Sequence, residues 1–250
     1  WDGVKKEWGV KRRIILDSKE SRVKEASQKK YRCVLPRITD AVHSLLELLD
    51  QCEPGEEVEQ FVIDAEEAFW SMKLHPSERR YYVGKVNGKF LVYVRTPQGS
   101  RGAPTSWAAG FGLICRCVQS MFITPTKMNQ LAKLLSALMQ TYVDDPWLGI
   151  RGTKTVRQKH MSMAMLLWRI LGVSLAFSKA SHGAGVNWIG ANLTVTTQKN
   201  DASVIAKINP ERLSEFRELT RKLLHGNVVP VKTLRSYVGK AQSMASLLFV

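Results

Sequence analysis

The segment Tyr142-Val143-Asp144-Asp145 is the most informative part of this sequence. Residues Leu138 to Val143 are largely apolar, and Trp147 to Ile150 are apolar again, so the two acids lie where a β-hairpin is predicted to reverse. Adjacent carboxylates at a tight turn repel each other unless a cation lies between them. Mg²⁺ suits that role because it binds carboxylate oxygens and can hold a substrate phosphate at the same time. The alternative is an ordinary solvated turn, in which Asp is common because its side chain hydrogen-bonds the local backbone.

A third acid, Asp64, ends another apolar segment. Phe61-Val62-Ile63 precedes it and predicts a short buried strand. An acid at the end of one strand, beside an Asp pair on a neighbouring hairpin, supplies the carboxylates that two metal ions need. Two such ions, about 3.5–4 Å apart, hold the attacking and leaving oxygens of an in-line phosphoryl displacement. The three acids therefore indicate phosphoryl-transfer chemistry.

Six segments, in order along nearly the whole chain, resemble motifs of the reverse transcriptases of retroelements. They are Arg13-Ile14-Ile15-Leu16-Asp17, Asp64 with Phe69, Pro97 to Pro104, Tyr142 to Asp145, Lys179, and Trp188-Ile189-Gly190. Each match alone is weak. The shared order and spacing of all six give the resemblance its weight.

The resemblance implies roles for the matching residues. The implied catalytic residues are Asp64, Asp144, Asp145 and Lys179, and the three acids would also bind two Mg²⁺ ions, which Mn²⁺ could replace. The implied nucleotide-binding residues are Arg13, Ala65, Phe69, Gln98 and Gly99. The implied nucleic-acid-binding residues are Tyr142, Trp188, Ile189 and Gly190.

Several of these roles have simpler alternatives. Arg13 would touch the incoming triphosphate, and Phe69 would block a ribose 2′-hydroxyl. Gln98 would position the template base, but the glycines around it also fit an ordinary Gly-rich turn. Lys179 would help the pyrophosphate leave, but it is also one of many lysines expected on the surface.

The resemblance also implies a mixed α+β fold of the right-hand polymerase type, with fingers, a palm and part of a thumb. The palm would contain a small antiparallel sheet packed on helices. The implied segments are 1–57 (first part of the fingers), 58–75 (palm, with the first acid motif), 76–102 (second part of the fingers), 103–198 (palm) and 199–250 (start of the thumb or connection).

The implied reaction is template-directed DNA synthesis, in which a primer 3′-hydroxyl attacks the α-phosphate of a deoxynucleoside triphosphate. The implied partners are these triphosphates and a primer-template nucleic acid, with RNA or DNA as template. One alternative is a catalytically silent, basic nucleic-acid-binding remnant of a reverse transcriptase. Another is an RNA-directed RNA polymerase, against which Phe69 argues because its bulk would exclude ribonucleotides.

The chain departs from the family pattern in three ways. Pro146 replaces the aliphatic residue that usually follows the Asp pair, Ala103 stands where a serine is common, and no segment resembling a ribonuclease H or integrase domain follows. We expect an excised domain or the remnant of a decayed element. Pro146 is expected early in a central strand, where it removes a ladder donor. A bulge or shortened pairing and reduced activity should follow.

Local patterns predict further elements. Asn87-Gly88 predicts the two-residue turn of a hairpin between residues 80–86 and 89–95. Apolar residues at helical spacing predict helices that begin near Thr39-Asp40, Pro104, Thr126, Thr155, Asn209-Pro210 and Thr233, and Thr39 or Asp40 can cap the first of them. The third of these is predicted to run to Gln140. Residues 173–177 are predicted to form a strand before Lys179.

The composition indicates a polyanionic partner. The 37 Lys and Arg residues against 22 Asp and Glu give a formal net charge of +15. Charge alone does not separate a nucleic-acid-binding protein from a ribosome-associated or membrane-surface protein. No apolar run approaches the ~20 residues of a bilayer span, and no signal peptide is recognised. We therefore expect a soluble protein of the cytoplasm or nucleus without a membrane partner.

Overall fold

The computed structural model describes residues 22–27, 32–125, 133–197, 202–226 and 228–248. The helices are α1 (Val23–Ala26), α2 (Ile38–Asp50), α3 (Ala68–Ser71), α4 (Ala103–Ser120), α5 (Lys154–Ile170), α6 (Pro210–Leu224) and α7 (Val231–Leu248). The strands are β1 (Glu57–Val62), β2 (Val83–Val86), β3 (Lys89–Val92), β4 (Ile123–Pro125), β5 (Lys133–Leu135), β6 (Ala137–Tyr142), β7 (Asp145–Gly152), β8 (Ser181–Gly183), β9 (Gly185–Trp188), β10 (Ala191–Thr196) and β11 (Ser203–Ile208). None of the helices in this part of the chain is both long enough and apolar enough to cross a membrane.

The chain divides into two compact units. The small unit contains residues 1–33 and 67–107, and the large unit contains residues 34–66 and 108–250. Residues 34–57, assigned to the fingers on sequence, belong to the large unit. The assignment of segments to fingers, palm and thumb stays a prediction.

The large unit contains a four-stranded antiparallel sheet in the order β6-β7-β1-β8. A second antiparallel sheet has the order β11-β10-β9. The buried residues that join the two sheets include Trp147 on β7 and Trp188 on β9, whose ring centroids lie 6.0 Å apart. The mixed helix-and-sheet architecture with small antiparallel sheets is therefore confirmed.

Helix α2 covers this core with one apolar face. Ala41, Leu45 and Leu48 are buried at spacings of four and three residues. The helix begins with a reciprocal cap, in which the N–H of Arg37 donates to the carboxylate of Asp40 at 2.6 Å. The predicted helix near Thr39-Asp40 is thus confirmed, and Asp40 contributes to its cap.

The hairpin β2–β3 of the small unit confirms the prediction from Asn87-Gly88. Both turn residues have positive φ, 48° for Asn87 and 77° for Gly88, as a primed two-residue turn requires. The strands are shorter than predicted. Residues 76–81 form a 3₁₀ helix, so the predicted strand over residues 80–86 begins only at Val83.

Two sequence predictions are wrong. The predicted helix over residues 126–140 is replaced, where the structure describes it, by strands β5 and β6. The described residues are strands because β5 pairs with β4 and β6 pairs with β7, and this tertiary pairing outweighs the local helical preference. Residues 173–177 form no strand apart from one isolated bridge between Leu175 and Ala65, and a 3₁₀ turn follows over Phe177–Lys179.

Pro146 is the second residue of β7, which lies between β6 and β1, so its predicted position in a central strand is confirmed. The register between β6 and β7 is uninterrupted along β6, and the expected bulge is not found in this pair. The carbonyl of Pro146 accepts a hydrogen bond from the N–H of Ile63 at 3.4 Å, so its backbone faces β1. The regular β1–β7 register starts only at Trp147. The N–H that Pro146 lacks therefore shortens the pairing between β7 and the end of β1, and the β6–β7 hairpin stays intact.

Candidate active site

Asp64 follows the end of β1 and is held from both sides by backbone hydrogen bonds. On one side, the N–H of Ala65 donates to the carbonyl of Asp144 at 2.7 Å. On the other, the N–H of Ala176 donates to the carbonyl of Asp64 at 2.9 Å. The backbone of Asp64 is therefore fixed between the β6–β7 turn and the segment that follows α5.

The β6–β7 turn consists of Val143 and Asp144, because Tyr142 pairs with Asp145. Val143 has a φ of 57°, which is strained for a β-branched residue. Two-residue hairpins require positive φ at this position, so the flanking strands impose the conformation. As a result, Asp144 is exposed at the tip, and Asp145 starts β7 partly buried.

Asp145 has the most perturbed carboxylate of the site. Burial, followed by the charges of Asp64 and Asp144, raises its pKa from 3.8 to about 7, and Lys179 acts in the opposite direction. Its Oδ1 atom is buried and accepts no hydrogen bond from any described residue. An acid that titrates near neutral pH beside two other acids is a candidate for a functional role.

Lys179 lies at the end of the 3₁₀ turn over Phe177–Lys179, and its ammonium group is paired with the carboxylate of Asp64. Both side chains are partly exposed, so the pair contributes little to stability. The structure thus brings together all four residues that the sequence analysis assigned to catalysis. The structure shows only where these four residues lie, and their role in catalysis stays a prediction.

The acids were also predicted to bind two Mg²⁺ ions. Among the residues that the structure describes, no three His, Cys, Asp or Glu side chains are grouped closely enough to hold a metal ion. The donor chemistry nevertheless fits a hard cation, because it offers three carboxylates and one buried, unpartnered oxygen. One oxygen of the Asp64 carboxylate is paired with the ammonium group of Lys179.

Trp188 was predicted to contact nucleic acid, but its indole is only 1% exposed. The indole packs against Trp147, and its Nε1–H donates to the carbonyl of Asp145 at 3.0 Å. This hydrogen bond links β9 to the backbone of Asp145, and contact of Trp188 with nucleic acid stays a prediction. No local sequence pattern indicates this contact, because it joins residues 43 positions apart.

The other predicted nucleic-acid contacts are more accessible. Tyr142 is exposed beside the acid turn, and Ile189 and Gly190 form a partly exposed turn between β9 and β10. Arg212, which the sequence analysis did not select, donates from Nη1 to the carbonyl of Ile189 at 3.4 Å. Contact of Tyr142, Ile189 and Gly190 with nucleic acid stays a prediction.

The predicted nucleotide-binding residues fall in different parts of the chain. Arg13 lies outside the described residues. Ala65 belongs to the large unit and is buried, and its N–H makes the hydrogen bond to the acid turn. Phe69, Gln98 and Gly99 belong to the small unit, where Phe69 lies on α3 and Gly99 adopts a φ of 96° before α4. Their function in nucleotide binding stays a prediction.

Comparison with known proteins gives structural matches only. No protein-family model matches the sequence, and no curated protein matches it either. The chain is similar to a foamy viral protease-reverse transcriptase dRH in complex with double-stranded DNA, with a TM-score of 0.57 and 16% identity over 94% of this chain and 34% of that one. A second foamy viral protease-reverse transcriptase, also in complex with double-stranded DNA, gives a TM-score of 0.50 and 15% identity over 85% of this chain and 36% of that one.

The chain thus spans about a third of the length of the two solved structures. Similarity at this level of identity concerns the fold alone, which is reverse transcriptase-like.

Proposed function

We propose that this chain catalyses template-directed DNA synthesis from an RNA or DNA template by nucleotidyl transfer. The observation that carries the proposal is the position of Asp64, Asp144 and Asp145 at adjacent strand ends, where burial and then the charges of the first two raise the pKa of the third to about 7. A carboxylate cluster of this kind is costly for stability. In phosphoryl transfer, such a cluster holds the metal ions that neutralise the charge of the substrates.

Each residue of the cluster has a defined task in the proposed reaction. Asp64 and Asp144 would bind two Mg²⁺ ions, with Asp145 beside them. When bound, the ions lower the pKa of the attacking hydroxyl and neutralise the leaving phosphates. The primer 3′-oxygen forms a bond to the α-phosphorus as the bond to pyrophosphate breaks. Lys179, released from Asp64, supplies positive charge and a proton to the pyrophosphate.

The proposed partners are a primer-template nucleic acid and deoxynucleoside triphosphates. The net charge of +15 favours binding to phosphates, and two solved proteins with the same fold carry double-stranded DNA. Phosphate contacts position a duplex without reading its sequence. Catalysis would then depend mainly on positioning and electrostatics.

The test is primer extension on a primed RNA template with Mg²⁺ or Mn²⁺. We expect the wild-type chain to extend the primer, and we expect Asp64→Asn and Asp144→Asn to abolish extension with primer-template affinity nearly unchanged. Asp50→Asn is the matched control, because Asp50 is an exposed acid at the end of α2. Extension that survives either active-site change would rule out the assignment.

The second candidate is a silent nucleic-acid-binding protein with the same fold. It is favoured by one observation, the ion pair with Lys179, which engages one of the acids assigned to the metal ions. It predicts tight, salt-sensitive primer-template binding with no extension in Mg²⁺ or Mn²⁺. Extension by the wild-type chain that Asp64→Asn abolishes would exclude it.

A further inference from the structure

The turn between β9 and β10 has an unfavourable backbone conformation. Trp188 pairs with Ala191, which leaves Ile189 and Gly190 as a two-residue turn. Their φ values are 39° and 92°. Gly190 adopts a positive φ without strain, but Ile189 is β-branched and does not. Such a residue persists only where its surroundings over-determine the conformation.

Residues at the start of α6 hydrogen-bond both carbonyls of this turn. The N–H of Asn209 donates to the carbonyl of Gly190 at 3.2 Å. Arg212 donates from Nη1 to the carbonyl of Ile189 at 3.4 Å. A β-carbon on Gly190 would collide with the Arg212 guanidinium, so this glycine also makes room for the arginine.

The same guanidinium reaches a second helix. Its Nη2 donates to the hydroxyl of Ser243 on α7 at 3.2 Å. The planar guanidinium can serve both partners at once because its donors point in fixed, different directions. A lysine carries its donors on a single nitrogen, so it would not reproduce the two separate donor positions that Nη1 and Nη2 supply. Arg212 therefore ties α6, α7 and the β9–β10 turn together.

The β9–β10 turn is also linked to the acid cluster, through Trp188. Trp188, the residue before the turn, donates its indole N–H to the carbonyl of Asp145 at 3.0 Å. The indole is buried against Trp147, so it has little freedom to move independently of β9. A shift of the turn would therefore shift the partner of the Asp145 backbone.

We propose that Arg212 is a positioning residue for the reaction, holding the β9–β10 turn and, through Trp188, the backbone of Asp145. This inference rests on the proposed function for its effect on rate. The arginine is not required to touch the substrate. Its loss should lower the extension rate on bound primer-template, because small misplacements of reacting groups are costly.

Single-turnover extension at saturating primer-template tests this effect. We expect Arg212→Gln to slow extension about 10- to 100-fold, and Arg212→Lys to behave like Arg212→Gln despite its retained charge. Arg217→Gln is the matched control, since it removes the same charge from an exposed position on α6. Arg212→Gln and Arg217→Gln should weaken primer-template binding equally. An extension rate for Arg212→Gln equal to that of Arg217→Gln would overturn the proposal.

A second measurement does not require catalysis. The seven tryptophans can be labelled with 5-fluorotryptophan, and the fluorine resonance of Trp188 can be identified by its loss in Trp188→Phe. We expect Arg212→Gln to shift this resonance and Arg217→Gln to leave it in place. An unmoved Trp188 resonance in folded Arg212→Gln would overturn the proposal.

A double-mutant cycle completes the test. Gly190→Ala should also slow extension, and its effect in the Arg212→Gln background should be smaller, because the collision with the guanidinium is gone. Strictly multiplicative effects would contradict the proposed contact. If the wild-type chain does not extend primers while the resonance still shifts, the proposed function fails and the positioning of Trp188 by Arg212 stands.

Discussion

Burial and charge act in the same direction on the carboxylate of Asp145. The side chain lies at the start of β7, and its buried Oδ1 receives no hydrogen bond from the described residues. Together with the charges of Asp64 and Asp144, burial raises the pKa to about 7, which Lys179 offsets only in part. Between pH 3.8 and about 7, the carboxyl of Asp145 therefore stays protonated in the folded chain, whereas in the unfolded chain it is ionised.

Asp145→Asn should therefore stabilise the protein more at high pH than at low pH. Below pH 3.8 the carboxyl is protonated in both states and has no effect, whereas between 3.8 and about 7 only the folded state holds the proton. The free energy of unfolding of the wild type therefore falls as the pH rises from 3.8 to about 7. Above pH 7 it stays lower by the full cost of ionising Asp145 in the folded state. Urea unfolding in chelator, at about pH 5 and about pH 8, measures the difference. The same gain from Asp145→Asn at both pH values would contradict the raised pKa.

At the level of secondary structure, a side chain completes the edge of the four-stranded sheet. Strand β6 is at the edge, and such strands leave backbone groups without partners. The side-chain amide of Gln119 on α4 is the hydrogen-bond partner of two such backbone groups. Its Nε2 donates to the carbonyl of Ala137 at 2.8 Å, and its Oε1 accepts from the N–H of Met139 at 2.7 Å. One amide therefore takes the place of a neighbouring strand next to the acid hairpin.

Gln119→Leu should lower the free energy of unfolding by about 1–3 kcal/mol, because it leaves a partly buried donor and acceptor unpaired. Gln119→Glu keeps the acceptor for Met139 but places a carboxylate oxygen against the carbonyl of Ala137, so it should also destabilise the fold. Urea unfolding measures both. Gln158→Leu, at an exposed position of α5, is the control. If Gln119→Leu and Gln158→Leu have equal effects, the edge contact does not contribute to stability.

At the level of the whole large unit, a buried amide connects the two sheets. Gln60 on β1 is 0% exposed. Its Nε2 donates to the carbonyls of Ala184 at 2.9 Å and Leu193 at 3.0 Å, and its Oε1 accepts from the indole N–H of Trp147 at 3.0 Å. The amide is thus fully used. A satisfied polar group in a core specifies one arrangement of the elements around it.

Gln60→Leu should cost about 1–3 kcal/mol, since it leaves the buried indole N–H of Trp147 without its acceptor, whereas the Ala184 carbonyl keeps the N–H of Val195 at 2.8 Å. Urea unfolding gives the magnitude. In the double mutant Gln60→Leu/Trp147→Phe the indole donor is absent as well. We expect the double mutant to be less destabilised than the sum of the single changes, and strict additivity would show that the Gln60–Trp147 hydrogen bond is not a significant part of the network.

The sequence alone determined the features that depend on near neighbours. Asn87-Gly88 predicted its hairpin because few dipeptides accept two positive φ values. The capped and amphipathic segments predicted α2, α5 and α6, since Asn209 and Pro210 at the start of α6 act within one turn. Two apolar segments ending in acids predicted the strand before Asp64 and the hairpin at the Asp pair, and the strand order places β1 beside β7.

Only the tertiary structure decided the contacts between distant segments. The helix predicted from Thr126 ran to Gln140, but residues 137–140 belong to β6 because β7 and Gln119 take up their hydrogen bonds. Trp188 matches a binding motif in sequence, but its indole is buried and holds Asp145. Arg212 is one of 37 basic residues until α6 brings it to Ile189. The physical reason is that periodicity and capping report interactions within a few residues, whereas burial and partner choice depend on which segments the completed fold brings together.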